Sequence, residues 1–263
     1  MAGQVKVSEP ADGILRLAIS NPAKRNALDH AILDAIAAEI TGAPARGARV
    51  ILLTGEDGMF SSGYDIGGIP DDVFAVEAEK LVAHPFTGAL DALDACDLPV
   101  VAALSGHTIG GGLELALACD LRIAADAIKL GMPPAKLGLV YSHTGLRRFL
   151  DVVGSARTRE LFLLGRNISA ARAEAWGLVN AVVAPDALED AAMAWAVELA
   201  ANAPLSVTGN KRVLRALLGA EGALEPSVEA ELVALREACF ASADFAEGVR
   251  AFGEKRLARW QGR

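Results

Sequence analysis

The chain has 263 residues, is 52% apolar and carries a formal net charge of -8, which excludes a disordered polymer and supplies apolar surface for one large core. It has no basic block and no run approaching the roughly 18 apolar residues of a membrane span, so neither nucleic acid nor membrane is an expected partner. Cys96, Cys119 and Cys239 are widely spaced and odd in number, as suits reduced thiols, and give no metal-ligand spacing. With no apolar stretch in "MAGQVKVSEP", the expected location is cytoplasmic.

In chain order, "ILRLAIS" (14–20) alternates apolar residues with others, whereas "RVILLTG" (49–55) and "LPVVAALSG" (98–106) read as buried strands. Between the first two, Leu28, Ile32, Ile36 and Ile40 form one stripe at four-residue spacing and predict an amphipathic helix. Strands and helices alternate in this way to about residue 200, which indicates an α/β domain with mostly parallel strands. From about residue 204 the pattern is helix after helix, and within it Ser242 or Asp244 offers a helix cap in "SADFAEG".

Two glycine-rich turns each follow a buried strand: Gly58, Gly63, Gly67 and Gly68 in "GMFSSGYDIGGIP" (58–70), and Gly110, Gly111 and Gly112 in "SGHTIGGGLELALACD" (105–120). The second is neither phosphate signature. A P-loop counted from Gly106 needs lysine where Gly112 stands, and a dinucleotide fingerprint counted from Gly110 needs glycine at Leu115. Paired backbone N–H groups from two such turns can make an oxyanion hole, although tight turns alone also call for glycine. Glu114 has two readings as well: a carboxylate in the first turn of a helix, favoured by the helix dipole, or an acid–base group whose pKa its apolar neighbours raise. His107 and His143 read as structural or exposed histidines. No G-x-S-x-G motif surrounds Ser105, which disfavours a serine hydrolase.

Taken together, "NPAKRNALD" (21–29), "FSSGYDI" (60–66), "GHTIGGGLELALACDLRIA" (106–124), "LGLVYSHTGLRRFLDVVG" (137–154), "GLVNAVV" (177–183) and "FGEKR" (252–256) resemble the crotonase superfamily, the enoyl-CoA hydratase and isomerase family. The resemblance implies a crotonase-like (ClpP/crotonase) spiral of ββα units over residues 1–200 that binds acyl-CoA. It also implies a C-terminal helical layer over residues 201–263 that forms a homotrimer or a hexamer. The substrate would be an acyl-CoA thioester, with no metal and no cofactor beyond the coenzyme A that the substrate carries. By the same resemblance, the backbone N–H groups of Tyr64 and Gly111 would donate to the thioester carbonyl. Ala23, Lys24, Arg25 and Ala27 would receive the CoA nucleotide, and Lys255, with Arg256, would contribute phosphate contacts.

Hydratases of this family use two glutamates. Glu114 matches the first, and Pro134, in "LGMPPAKLG", stands in place of the second. That segment resembles the methylmalonyl-CoA decarboxylase branch, in which proline occupies the same place and a tyrosine follows, here Tyr141. The implied chemistry is enolate stabilisation after loss of CO₂, with Tyr141 orienting the substrate carboxylate and Glu114 or water taking part in protonation. Hydration or isomerisation by Glu114 alone and noncatalytic acyl-CoA binding are the alternatives.

Overall fold

Apolar runs bounded by glycine and serine form the strands of a six-stranded sheet in the computed structural model, which describes residues 3–66, 74–220 and 226–259. Its order is β1 (Gln4–Ala11), β2 (Ile14–Ser20), β3 (Val50–Gly55), β4 (Val100–Leu104), β6 (Leu121–Ala125), β9 (Ala181–Val183). The hairpin of β1 and β2 is antiparallel and every later pairing is parallel, with Leu17, Leu53, Ala102 and Arg122 in register across the sheet. Parallel strands need crossover helices, and these cover the sheet faces. A second, three-stranded sheet joins β5 (Thr108–Ile109), β7 (Lys129–Gly131) and β8 (Ile168–Ser169). The α/β class and mostly parallel sheet are those expected from the sequence.

Burial explains why β3 and β4 read as continuous apolar runs: every residue of β4 is buried, as is β3 up to Gly55. β2 is buried along nearly its whole length, so its alternation does not mark a solvent face. Arg16, its partly buried exception, reaches out to Glu189 at 2.6 Å.

The amphipathic stripe after β2 becomes α1 (His30–Gly42), with Ile32, Ile36 and Ile40 buried. Leu28 lies outside it. Asp29 caps the helix by accepting from Ile32 N at 2.9 Å, which leaves Leu28 extended and bridged to Tyr64. Full burial of each isoleucine stabilises the fold by about 1.5 to 3 kcal/mol relative to exposure. α2 (Phe74–Leu81) leads through a π-helical turn, Val82–Phe86, into α3 (Thr87–Ala95), which packs on α1.

After β5 come α4 (Gly111–Ala118), β6, β7, the short α5 (Pro134–Leu137) and α6 (His143–Leu164), followed by α7 (Ala170–Ala175) and α8 (Leu188–Ala201). α8 lies on β3, β4 and β6. The remaining helices are α9 (Pro204–Ala220), α10 (Pro226–Phe240) and α11 (Ala243–Gly253), and Ser242 rather than Asp244 caps α11 by accepting from Phe245 N at 3.0 Å. Phe240 of α10 and Phe245 of α11 share a small second core with Ala78 and Val82, against which Tyr64 and Ile66 also pack.

Candidate active site

The two glycine turns pack directly on one another. Ser61 bridges to Thr108, Ile109 N donates to Ser61 O at 3.1 Å, and a Cβ on Gly112 would stand 2.7 Å from the Ser61 carbonyl oxygen. Gly63 has φ +99°, and its Cβ would lie 2.9 Å from Ile109 O and 3.4 Å from Gly111 N. Only glycine suits that conformation and that spacing at once. The result sets Tyr64 beside Gly111, close enough that a Cβ on Gly111 would meet Tyr64 Cε1 at 2.5 Å. Gly111 N–H opens α4, in the turn where a helix's amides have no intrahelical acceptor. Gly58 shares the first turn with φ +68°, whereas Gly67 and Gly68 lie outside the described residues.

Glu114 sits in the first turn of α4, its amide donating to Gly110 O at 3.1 Å, and is 1% exposed. Burial pushes its carboxyl up to about 7, against the lowering effects of the Tyr141 hydroxyl and the Arg148 charge; Asp94 raises it further. The dipole of α4 favours the ionised form, but desolvation outweighs it here.

Tyr141, from the loop before α6, donates its hydroxyl hydrogen to Glu114 Oε2 in a short bond. The Tyr141 and Tyr64 hydroxyl oxygens are 3.1 Å apart. Burial, and then the charge of Glu114, raises the Tyr141 phenol, so it remains a protonated donor. Edge-to-face contacts fix both rings: Tyr64 on Phe86 at 4.7 Å, and Tyr141 on Phe162 at 5.4 Å between centroids. Glu114, Tyr141 and Tyr64 therefore form one hydrogen-bonded row, running from the core to a partly exposed ring.

Sequence reasoning missed several parts of this cluster. It assigned Tyr64 a backbone role and did not anticipate its hydroxyl contact. It missed Gly145 in the first turn of α6, where a Cβ would stand 2.6 Å from Tyr141 Cε1 and 2.7 Å from Glu114 Oε1. The glycine inside the helical pattern of "HTGLRRF" was the available signal. Arg148 was missed as well: its guanidinium grips Asp94 through bonds of 2.9 and 2.8 Å and so brings an ion pair into the field of Glu114.

Pro134 is buried and begins α5, where its carbonyl accepts from Leu139 N at 2.9 Å. It has no acid–base group. Asp94, the other carboxylate whose charge reaches Glu114, is held bidentately by Arg148.

The segment carrying Ala23, Lys24, Arg25 and Ala27 is a single-turn 3₁₀ helix, Pro22–Lys24, followed by left-handed Arg25 and Asn26. Asn26 is fully buried, and its side-chain amide donates to Glu56 O and Met59 O at 3.0 and 2.7 Å. Ser62 ties this loop to the Tyr64 turn, its amide donating to Arg25 O and its hydroxyl to Lys24 O, each at 3.1 Å. Ala23, Lys24 and Arg25 are exposed and Ala27 is buried; Lys24 Nζ pairs with Asp65 at 2.6 Å. Lys255 follows α11 with φ +54°, and no hydrogen bond or ion pair joins it to residues 23–27 among the described residues.

His143 Nε2 faces Glu229 on α10 at 3.3 Å, and His107 Nδ1 accepts from Lys129 N at 3.1 Å. The Ser105 hydroxyl donates to Gly55 O at 3.4 Å, so Ser105 and His107 are not a nucleophile–base pair. Among the described residues, no group of three or more metal-ligating side chains gathers, and no helix is long and apolar enough to cross a membrane.

A family model described as enoyl-CoA hydratase/isomerase matches residues 9–263. A Mycobacterium bovis protein named "Probable enoyl-CoA hydratase echA6" is 34% identical over 254 residues, covering 96% of this chain and 97% of the relative. The carnitinyl-CoA dehydratase of Citrobacter koseri is 35% identical over 228 residues, 82% of each chain. Among solved structures, a methylmalonyl-CoA decarboxylase in complex with 2-nitronate-propionyl-CoA aligns with a TM-score of 0.89 at 26% identity, over 99% of both chains. An enoyl-CoA hydratase/isomerase family protein from Hyphomonas neptunium aligns at 0.76 with 35% identity, over 98% of both chains. The fold is thus the crotonase fold. The chain belongs to the enoyl-CoA hydratase/isomerase family, enzymes that act on CoA thioesters.

Proposed function

We propose that this enzyme decarboxylates a malonyl-type CoA thioester. The observation that carries the reading is the composition of the hydrogen-bonded row: one carboxyl, Glu114, and two phenols, with proline at position 134. Loss of CO₂ leaves an electron pair that the thioester carbonyl accepts, and the N–H groups of Tyr64 and Gly111 stabilise the resulting oxyanion. One such donor typically contributes about 2.7 to 4 kcal/mol to lowering the barrier. Tyr141 is the middle of the row and holds Glu114 and Tyr64 together, and the enolate left by the departing CO₂ needs one proton. The decarboxylase fold match over the whole chain supports this assignment.

The CoA moiety lies along residues 23–27, with phosphate contacts from Arg25, Lys24 and, from its own or a neighbouring subunit, Lys255. Residues 1–200 are the acyl-CoA-binding core and residues 201–263 the trimerisation region. The seating of α8 on the sheet supports that boundary. Coenzyme A enters with the substrate, and the compartment is the cytoplasm.

Hydration or isomerisation by Glu114 alone is the second reading, favoured by relatives named enoyl-CoA hydratase. The sign of the pH dependence separates them. A carboxyl near 7 that supplies a proton loses activity as pH rises through that value, whereas one that must be ionised to activate water gains it. The test is a panel of malonyl-, methylmalonyl-, crotonyl- and longer enoyl-CoA, with product masses recorded across that pH range. Loss of CO₂ with a falling profile is the expected result; gain of water with a rising one overturns the proposal.

A further inference from the structure

A phenol has one proton and donates one hydrogen bond at a time, while an ionised carboxylate only accepts. With Glu114 ionised, Tyr141 commits its proton to Oε2, so its oxygen accepts from Tyr64 and the Tyr64 proton points inward. With Glu114 protonated, all the bonds can reverse: Glu114 donates to Tyr141, Tyr141 donates to Tyr64, and the Tyr64 proton is released outward. Exposure follows the same direction. Glu114 is 1% exposed, Tyr141 8%, and Tyr64 is partly exposed beside Gly111 at the meeting of the two glycine turns. A buried acid is poorly placed to touch a substrate, and the hydroxyl at the outer end of the row is better placed.

We propose that Glu114, Tyr141 and Tyr64 form a proton wire whose outer end, the Tyr64 hydroxyl, protonates the α-carbon of the thioester enolate. The proposal rests on the decarboxylation reading above and adds the proton's route. As the enolate electron pair forms the new C–H bond, the Tyr64 O–H bond breaks. Tyr64 oxygen takes the Tyr141 proton, Tyr141 oxygen takes the Glu114 proton, and Glu114 is left as carboxylate. Before the next turnover a solvent proton binds the Tyr64 oxygen, Tyr64 passes its inward proton to Tyr141, and Tyr141 passes its own to Glu114. Besides the Tyr141 hydrogen bond, the charges acting on Glu114 among the described residues are Arg148 of α6 and Asp94 of α3, which pair with each other. Tyr64 is thus a catalytic residue through its side chain as well as its amide.

The experiment compares the parent with Tyr64→Phe and Tyr141→Phe, each of which keeps its ring packing and its backbone donor. Glu114 is titrated by infrared difference spectroscopy against Glu114→Gln, and methylmalonyl-CoA is turned over in deuterated water. In Tyr64→Phe the Glu114 midpoint should move above the parent's, because the Tyr141 bond to the carboxylate loses its own donor. Turnover should fall at least about a hundredfold, the usual scale for a lost general acid. The α-deuterated product should lose its single handedness, since solvent then protonates the enolate from either face.

A Glu114 midpoint that stays put in Tyr64→Phe, or a parent-like rate and handedness, overturns the wire. Tyr141→Phe breaks the same wire at its middle and gives the same readings if Tyr64→Phe does not fold. If the parent decarboxylates no thioester, the decarboxylation reading fails and the wire is judged on the Glu114 titration alone.

Discussion

Glu114 is an acidic side chain that the fold prefers uncharged. Its carboxyl is raised from the ordinary 4.5 to about 7, chiefly by burial. A carboxyl raised on folding contributes stability below its unfolded value and loses it as pH rises through the folded value. The full difference is about 3 kcal/mol, of which about 2 kcal/mol falls between about pH 5.5 and about pH 8. Glu114→Gln cannot ionise, so its stability relative to the parent should increase by roughly that amount across this interval, read from denaturant unfolding at both ends. An equal pH dependence in the two proteins would mean that Glu114 is not held near neutrality. Gly145 makes the second case. Alanine there raises helix propensity by up to about 1 kcal/mol, while overpacking against Tyr141 and Glu114 costs about 1 to 3 kcal/mol. Gly145→Ala should therefore lower stability by up to about 2 kcal/mol and lower turnover at least about tenfold, as expected of a shift in a positioned acid–base group. A fully active variant with an unchanged melting temperature would remove Gly145 from the site.

Local features were readable from the sequence and contacts across the chain were not. The strands 49–55 and 98–106, both glycine turns and the helix bearing Glu114 depend on neighbours within a few residues, and all are present. The meeting of Tyr64 with Tyr141 spans 77 residues and that of Glu114 with Tyr141 spans 27, so no periodicity encodes either; only a resemblance placed three of these groups in one site. Helix α9 shows the same limit in another form, because a sequence reveals an amphipathic pattern without saying which face turns inward. Here the inward face is charged. Lys211 pairs with Asp120 at 2.7 Å and donates to Leu98 O at 2.8 Å, while Arg215 and Arg212 hold Asp97, the former at 2.8 Å. Exposed pairs of this kind contribute at most about 1 kcal/mol each, but the Lys211 side chain is mostly buried, and the same Asp120 oxygen accepts from Val100 N at 2.7 Å. Asp120→Asn should loosen α9 before it unfolds the core. Amide exchange over residues 204–220 should quicken up to about tenfold, a shift of about 1.4 kcal/mol in local opening, with α8 unchanged. Equal protection of α9 in variant and parent would show that the ionic face does not hold the helix.

With its charged face turned inward, α9 leaves its apolar face uncovered. Val213, Leu214, Leu217 and Leu218, spaced on one stripe, are each more than half exposed. Burying each between subunits stabilises an assembly by up to about 1.5 to 3 kcal/mol, and three copies of the stripe are enough to offset a substantial part of the entropy lost on association. A ring of three identical chains closes without leaving such a face open, which is the assembly proposed for residues 201–263. The chain's net charge of -8 opposes it, so association should strengthen as salt screens the repulsion between copies. Light scattering at micromolar concentration should give three times the 27.3 kDa chain mass, or a multiple of it. Leu217→Asp places a further negative charge in the stripe and should release monomers. Because Glu114, Tyr141 and Tyr64, and the Phe240–Phe245 core that Tyr64 packs against, all come from one chain, those monomers should keep a kcat close to the parent's. Their KM should rise if Lys255 reaches the CoA phosphates of a neighbouring subunit. A parent that runs as a stable monomer defeats the assembly outright, whereas Leu217→Asp monomers with no kcat would mean that a second chain completes the site.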